Sequence, residues 1–190
     1  MRKTKVYIAL LHYPMYNKRQ DIITTSVTNL DLHDIARAAR TYDVDGFFVV
    51  HPLANQQKLI KEIVSYWQEG FGGQYNADRQ EAFNILKVCS SLEETVDIIT
   101  AADGRKPLII ATDARSSDKT LDYLSLKNMI FEEDNSVLIL FGTGWGIEKE
   151  LIMRSDYLLE PIEPDRGYNH LSVRSAVSII LDRLLGAYWF

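Results

Sequence analysis

The stretch Val137-Leu138-Ile139-Leu140-Phe141-Gly142-Thr143-Gly144-Trp145-Gly146 decides how this chain is read. Five consecutive apolar side chains do not alternate between core and water, so a strand built from them must be covered on both faces. The glycines that follow end the strand in a turn whose backbone can be approached closely. Working outward, similar short apolar runs recur at Val6 to Leu11, Gly46 to Val50, Phe83 to Cys89 and Leu108 to Ala111, with a weaker one at Tyr157 to Leu159. Between them the apolar spacing becomes helical. Leu32, Ile35, Ala36 and Ala39 share one face after Asn29 and Asp31, either of which suits an N-cap, and comparable patterns run over Ala54 to Trp67, Leu92 to Ala101, Lys119 to Lys127 and Val173 to Leu185. Ser91 ahead of Leu92-Glu93-Glu94 reads as a capping box. This alternation predicts an α/β fold, a mainly parallel sheet flanked by helices. Only Glu69 to Asn76, with three glycines and two aromatics, breaks the pattern and reads as a connecting loop.

The 190 residues are 46% hydrophobic and 25% charged, a balance that fits one folded domain over residues 1–190 and excludes a disordered or collagen-like chain. No linker, charge block or repeat divides it. A net charge of −5 gives no bulk electrostatic reason to expect a nucleic-acid partner, although a local basic patch is compatible with it. One cysteine, Cys89, rules out an internal disulfide and sits in an apolar run where a buried thiol is expected. The apolar stretch after Met1-Arg2-Lys3-Thr4-Lys5 is too short for a secretion signal, and no run approaches the roughly 20 residues of a spanning helix. No membrane association and a cytoplasmic, reducing location are the expectations.

Ligands of open parallel sheets bind at the carboxyl ends of the strands. Three such ends carry polar or flexible chemistry: Thr112-Asp113-Ala114-Arg115-Ser116-Ser117, the loop Gly142 to Gly146, and Leu159-Glu160-Pro161-Ile162 running through Glu163 to Gly167 into Tyr168-Asn169-His170-Leu171-Ser172. The glycine loop is neither of the common phosphate motifs. It lacks the Gly-Lys-Ser/Thr of a Walker loop, and its third glycine comes two residues after the second rather than three. It suits a nucleoside held by backbone groups, or simply a tight turn with Trp145 packed on the core. His12, His33, His51 and His170 show no metal-ligand spacing, so no metal is expected, and there is no Gly-x-Ser-x-Gly elbow for a nucleophilic hydrolase. His12, Tyr13, Lys18, Arg19, Thr24, Thr25, Ser26 and Thr28 crowd the first connection, either as a polar surface for RNA or as an exposed loop.

Taken together, Gly142-Thr143-Gly144-Trp145-Gly146, Leu159-Glu160-Pro161-Ile162 and Asn169-His170-Leu171-Ser172-Val173-Arg174-Ser175-Ala176 resemble the C-terminal motifs of the SPOUT RNA methyltransferases. The resemblance is greatest to a small bacterial SPOUT family and covers essentially the whole chain. It implies a C-terminal trefoil knot over about residues 108–190, S-adenosylmethionine as cofactor, a tRNA or rRNA substrate methylated on a ribose 2′-oxygen or a base atom, and a homodimer that completes the site. Thr112, Asp113, Gly142, Thr143, Gly144, Gly146, Leu159, Glu160, Pro161, Ile162, His170, Leu171 and Ser172 are then the cofactor-binding candidates. Asn29 to Arg40 is similar to a segment of the 2′-O-methylating branch, which places Arg37 on the catalytic arginine, with Asp31, His33 and Ser172 standing where that branch has Asn, Gly and Asn. Arg115 and Arg174 are read either as phosphate contacts or as surface ion pairs. Ala187-Tyr188-Trp189-Phe190 fits a subunit interface or packing on the chain's own core. A noncatalytic knotted module that binds cofactor or RNA is the alternative. A flavodoxin-like protein would explain the elements but not the paired glycine and histidine loops.

Overall fold

The computed structural model describes residues 2–116, 120–163 and 168–187. In chain order the elements are β1 (Val6–Leu11), β2 (Met15–Tyr16), β3 (Ile22–Ile23), α1 (Asn29–Thr41), β4 (Gly46–Val50), α2 (Ala54–Gln68), α3 (Phe71–Tyr75), α4 (Ala77–Phe83) and β5 (Leu86–Cys89). They continue with α5 (Leu92–Asp103), β6 (Leu108–Thr112), β7 (Thr120–Leu121), α6 (Tyr123–Glu132), β8 (Val137–Gly142), α7 (Lys149–Arg154), β9 (Tyr157–Leu159) and α8 (Val173–Leu185). Seven strands form one sheet in the order β5-β4-β1-β8-β6-β9-β7, and every pairing in it is parallel. The expected α/β class is what forms.

Because successive side chains of a strand point to opposite faces, the continuous apolar runs feed two cores. Val6, Ile8 and Leu10 of β1 face one core with residues of α1, α2, α4, α6 and α8, whereas Tyr7, Ala9 and Leu11 face the other, under α5 and α7. Each fully buried large apolar side chain contributes about 1.5–3 kcal/mol. Cys89 lies in the second core and burial pushes its thiol above the ordinary value, which fits a packing role.

Several local expectations are corrected. Phe83 closes α4 rather than opening a strand, and β5 starts at Leu86. Glu69 to Asn76 is not a loop throughout, because its centre forms the single-turn helix α3 pressed on the end of α2. The helix expected from Lys119 starts at Tyr123, capped by Asp122, after the short strand β7; Lys119 itself lies outside the described residues. Neither Asn29 nor Asp31 caps α1. Thr28 does, accepting from the Asp31 N–H at 3.2 Å while its hydroxyl donates to the Asp31 carboxylate at 2.6 Å. Thr28 therefore works for the helix, and Thr28→Ala is expected to cost about 1 kcal/mol and to lower the melting temperature by roughly 2–4 °C. A thermal melt indistinguishable from wild type would contradict that cap. Ser91 caps α5 as expected, although the Glu94 carboxylate reaches back to Ser90.

Candidate functional site

Strands β8, β6 and β9 are adjacent, so their carboxyl-terminal loops emerge side by side. After β6, the Thr112 hydroxyl donates to the Leu140 carbonyl at 2.8 Å, tying the strand end to β8. Asp113, with only 6% of its side chain exposed, accepts from the Arg115 backbone N–H at 2.9 Å and from its guanidinium at 2.9 and 3.1 Å. The ion pair expected as one reading of Arg115 is present, with the arginine side chain 66% exposed. Arg174 is paired as well, with Asp31 and Asp34 across α1 and α8 at 3.2 Å each.

After β8, the chain folds back on itself. A Cβ at Gly142 would lie 2.6 Å from the Ile147 side chain and 3.1 Å from its backbone nitrogen, so only glycine permits this closure. Gly144 and Gly146 have φ of +61° and +100°, a region L side chains avoid. The residues after β1 strap the loop down: Tyr16 N–H donates to Gly146 O, Trp145 N–H to Tyr16 O and Glu148 N–H to Pro14 O, all within 3.0–3.1 Å. Trp145 is 57% exposed and does not pack on the core.

After β9, Glu160 N–H donates to Leu121 O, and its carboxylate accepts from Tyr123 N–H at 3.1 Å. Residues 164–167 lie outside the described residues. Asn169 then reaches across to the first loop, its amide donating to Ala114 O at 2.8 Å and to the Glu163 carboxylate at 3.3 Å. Tyr168 and His170 meet edge to face, and Ser172 caps α8 by accepting from Ser175 N–H at 3.3 Å. The structure thus brings the three loops together, and it commits the Thr112, Thr143, Glu160 and Ser172 side chains to their own framework. What remains for a ligand is backbone and apolar surface. Among the described residues the N–H groups of Gly144 and Ile162 have no protein partner, and Leu171 and Tyr168 of the third loop are exposed. An adenosine needs these complements, unspent amides and an apolar edge, so the loops fit a nucleoside cofactor held by its backbone contacts.

Arg37 lies on α1, whose Asp31 and Asp34 meet Arg174 at the start of α8. Arg37 itself is exposed on the α1 flank that carries His33 and Arg40, next to α4, and among the described residues no hydrogen bond or ion pair joins it to the three loops. Ala187 is exposed, and the Tyr188 to Phe190 aromatics lie outside the described residues. Lys18 and Arg19 stand exposed in the connection between β2 and β3, an antiparallel pair that sequence periodicity missed because each strand has two residues.

Sequence reasoning also missed a buried polar cluster beside the glycine loop. Leu11 and Val50 pair in register, so the residues after them, His12 and His51, stand together with ring centroids 5.1 Å apart, and neither side chain meets water. Burial, and then the neighbouring His51, lower His12 to about 4, and burial also lowers His51. Both are neutral at pH 7. The sequence signal was present, a histidine directly after each of two apolar strands, but only the strand order makes them neighbours. A hollow of about 510 Å³ lined by Leu92, Val96, Ile109 and Leu151 lies under α5 and α7 and includes none of the loop residues. Among the described residues, no group of three or more His, Cys, Asp or Glu is placed to hold a metal, and no helix is long and apolar enough to cross a membrane.

Comparison with known proteins gives the family and the fold. A family model described as SAM-dependent RNA methyltransferase matches residues 5–186. An uncharacterized protein of Aquifex aeolicus is 44% identical over 97% of this chain and 90% of its own length. A tRNA (guanine-N(1)-)-methyltransferase of Oleidesulfovibrio alaskensis is 39% identical over 95% of this chain, which spans only 42% of that relative. Among solved structures, a probable methylase family protein from Haemophilus influenzae superposes with a TM-score of 0.64 at 19% identity, covering 97% of this chain and 66% of the other. The SpoU methyltransferase AviRb from Streptomyces viridochromogenes, solved with AdoMet, gives 0.60 at 14% identity, over 97% of this chain and 58% of the other. The SPOUT fold and the family follow from these matches: the chain belongs to the SAM-dependent RNA methyltransferases.

Proposed function

We propose that residues 1–190 act as one domain, that the loops after β6, β8 and β9 hold S-adenosylmethionine, and that the chain is knotted over about residues 108–190. The observation that carries this reading is the convergence of the three loops, cross-linked by Asn169 to Ala114, with unspent amides at Gly144 and Ile162. The cofactor supplies a methyl group on a positively charged sulfur. The protein's task is to hold the acceptor atom in line with the bond that breaks, and positioning of this kind supplies several kcal/mol. Backbone groups of Gly142, Gly144, Gly146, Pro161, Ile162 and Leu171 hold the adenosine and methionine portions, with Thr112, Asp113, Thr143, Leu159, Glu160, His170 and Ser172 shaping the walls.

The acceptor is a tRNA or rRNA nucleotide, methylated on a ribose 2′-oxygen or a base atom. Where it is a hydroxyl, its proton would pass to solvent water as the oxygen takes the methyl, and Arg37 would stabilise the negative charge developing on that oxygen. Among the described residues no hydrogen bond or ion pair joins Arg37 to its own chain's loops, which supports a pairing of two copies in which each lends Arg37 to the other's site. Exposed Lys18 and Arg19 guide the phosphate backbone, and the enzyme works in the cytoplasm.

Calorimetric titration of the purified chain tests the cofactor assignment. S-adenosylmethionine is expected to bind one equivalent per chain while ATP and FMN produce no saturable heat, and unmodified tRNA or rRNA then takes up labelled methyl. Absence of binding, or equal binding of all three ligands, would remove the cofactor from these loops.

A further inference from the structure

We infer that His12, acting through Thr25, is a positioning residue that holds the Gly142–Gly146 loop in the conformation that receives the cofactor. The inference rests on the assignment of S-adenosylmethionine to this loop. The Thr143 hydroxyl lies 3.0 Å from the Leu11 carbonyl and 2.5 Å from the Thr25 hydroxyl, which in turn lies 3.0 Å from His12 Nδ1. The Leu11 carbonyl can only accept, so Thr143 donates its single proton there and accepts from Thr25. Thr25 gives its proton to Thr143 at 2.5 Å rather than to the His12 carbonyl at 3.4 Å, so none is left for the His12 ring and it accepts from Nδ1–H. The chain runs one way, from imidazole through two hydroxyls to the end of β1, and it requires the Nδ1–H tautomer.

Two features show that Thr25 is held for this purpose. Its N–H donates to His12 O at 2.9 Å, and its carbonyl lies 3.0 Å from His51 Nε2. His51 Nδ1 accepts from Leu53 N–H at 3.2 Å, so Nε2 carries the proton and donates to Thr25. His12 Nε2, by contrast, is buried with no partner. A leucine or phenylalanine would fill that space without leaving a nitrogen unpaired, so the donor at Nδ1 is what the position uses.

The loop needs such a hold because its glycines impose little conformational preference of their own. The strap from Tyr16 secures Trp145 and Gly146, whereas the Thr143 hydroxyl secures the segment leading into Gly144, whose amide is unspent. Loosening that end adds an ordering cost to every binding event.

The test is S-adenosylmethionine affinity in the full chain, with melting temperature measured alongside. Thr25→Val keeps the shape and removes the hydroxyl, and it is expected to weaken binding about tenfold, the worth of one hydrogen bond. Thr25→Ser, and His12→Asn, whose amide can replace the Nδ1–H donor, are expected to stay within about threefold of wild type. His12→Leu behaves like Thr25→Val. Combining Thr25→Val with Thr143→Val is expected to weaken binding little beyond Thr143→Val alone, because Thr143→Val already removes the link that Thr25→Val breaks, together with the bond to Leu11 O. Wild-type affinity in Thr25→Val, failure of Thr25→Ser to rescue, or multiplication of the two effects overturns the relay. Gly146→Val separates the two levels: if it binds as wild type, the cofactor assignment itself falls; if it loses binding while Thr25→Val does not, only the relay falls.

Discussion

Gly146→Val is expected to weaken S-adenosylmethionine binding by at least about thirtyfold, roughly 2 kcal/mol, measured by the same calorimetric titration. Gly146 sits at φ +100°, where a β-branched residue pays about 1–3 kcal/mol in backbone strain. A Cβ there would also stand 3.2 Å from Asp113 Oδ2, the carboxylate that Arg115 grips, so relief of the strain displaces the loop after β6 as well. The Gly146 carbonyl accepts from Tyr16 N–H and its own N–H donates to Thr143 O, so its rotation releases the strap and the turn together. The variant should retain the seven-stranded sheet, since no core side chain changes, with a melting temperature lowered by several degrees. A valine variant that melts cooperatively and binds within about threefold of wild type would show that these two loops do not form the cofactor site.

Acidification is expected to destabilise the protein well above the range in which carboxylates titrate. His12 is neutral when folded and its value is lowered from 6.5 to about 4, chiefly by burial. Below pH 6.5 the unfolded chain takes up a proton there that the folded chain refuses, so stability falls with falling pH until the folded imidazole itself titrates near 4. Across that window His12 alone removes roughly 3 kcal/mol. His51 acts in the same direction through burial, and His33 through burial and then Arg79. Asp103 adds its own loss only in stronger acid. Burial would raise its carboxyl, but the hydrogen bonds from Lys5, Ser136 and Tyr7 outweigh burial and hold it below 3.8. Denaturant melts of wild type and His12→Asn between about pH 8 and pH 4 provide the measurement, with the variant expected to show a shallower fall. Parallel pH profiles in the two proteins would mean that His12 is not held neutral by its surroundings.

Much of the fold was legible locally. Val6 to Leu11, Gly46 to Val50 and Tyr157 to Leu159 are strands over the ranges their apolar runs mark, and Val173 to Leu185 is a helix over its whole periodic stretch. Elements shorter than one period were not. Two-residue strands such as Met15–Tyr16 and the single turn Phe71–Tyr75 owe their existence to what they rest on: the glycine loop in one case, the end of α2 in the other. Thr28 illustrates the remaining ambiguity, since a threonine before a helix reads equally as polar surface or as a cap until its neighbour's N–H is placed.

By itself the sequence determined the α/β class, the three polar strand ends and, through motif order in the last third of the chain, the methyltransferase family. These depend on residue types within a few positions of one another, where side-chain size, branching and glycine act on the local backbone. Tertiary structure alone decided which groups meet. Thr25 and Thr143 are joined across 118 residues, Gly146 stands against Asp113, and His12 stands against His51, because β1 lies between β4 and β8 and β8 lies beside β6. Strand order arises from the closing of long loops around a shared core, and no local window of sequence encodes that choice.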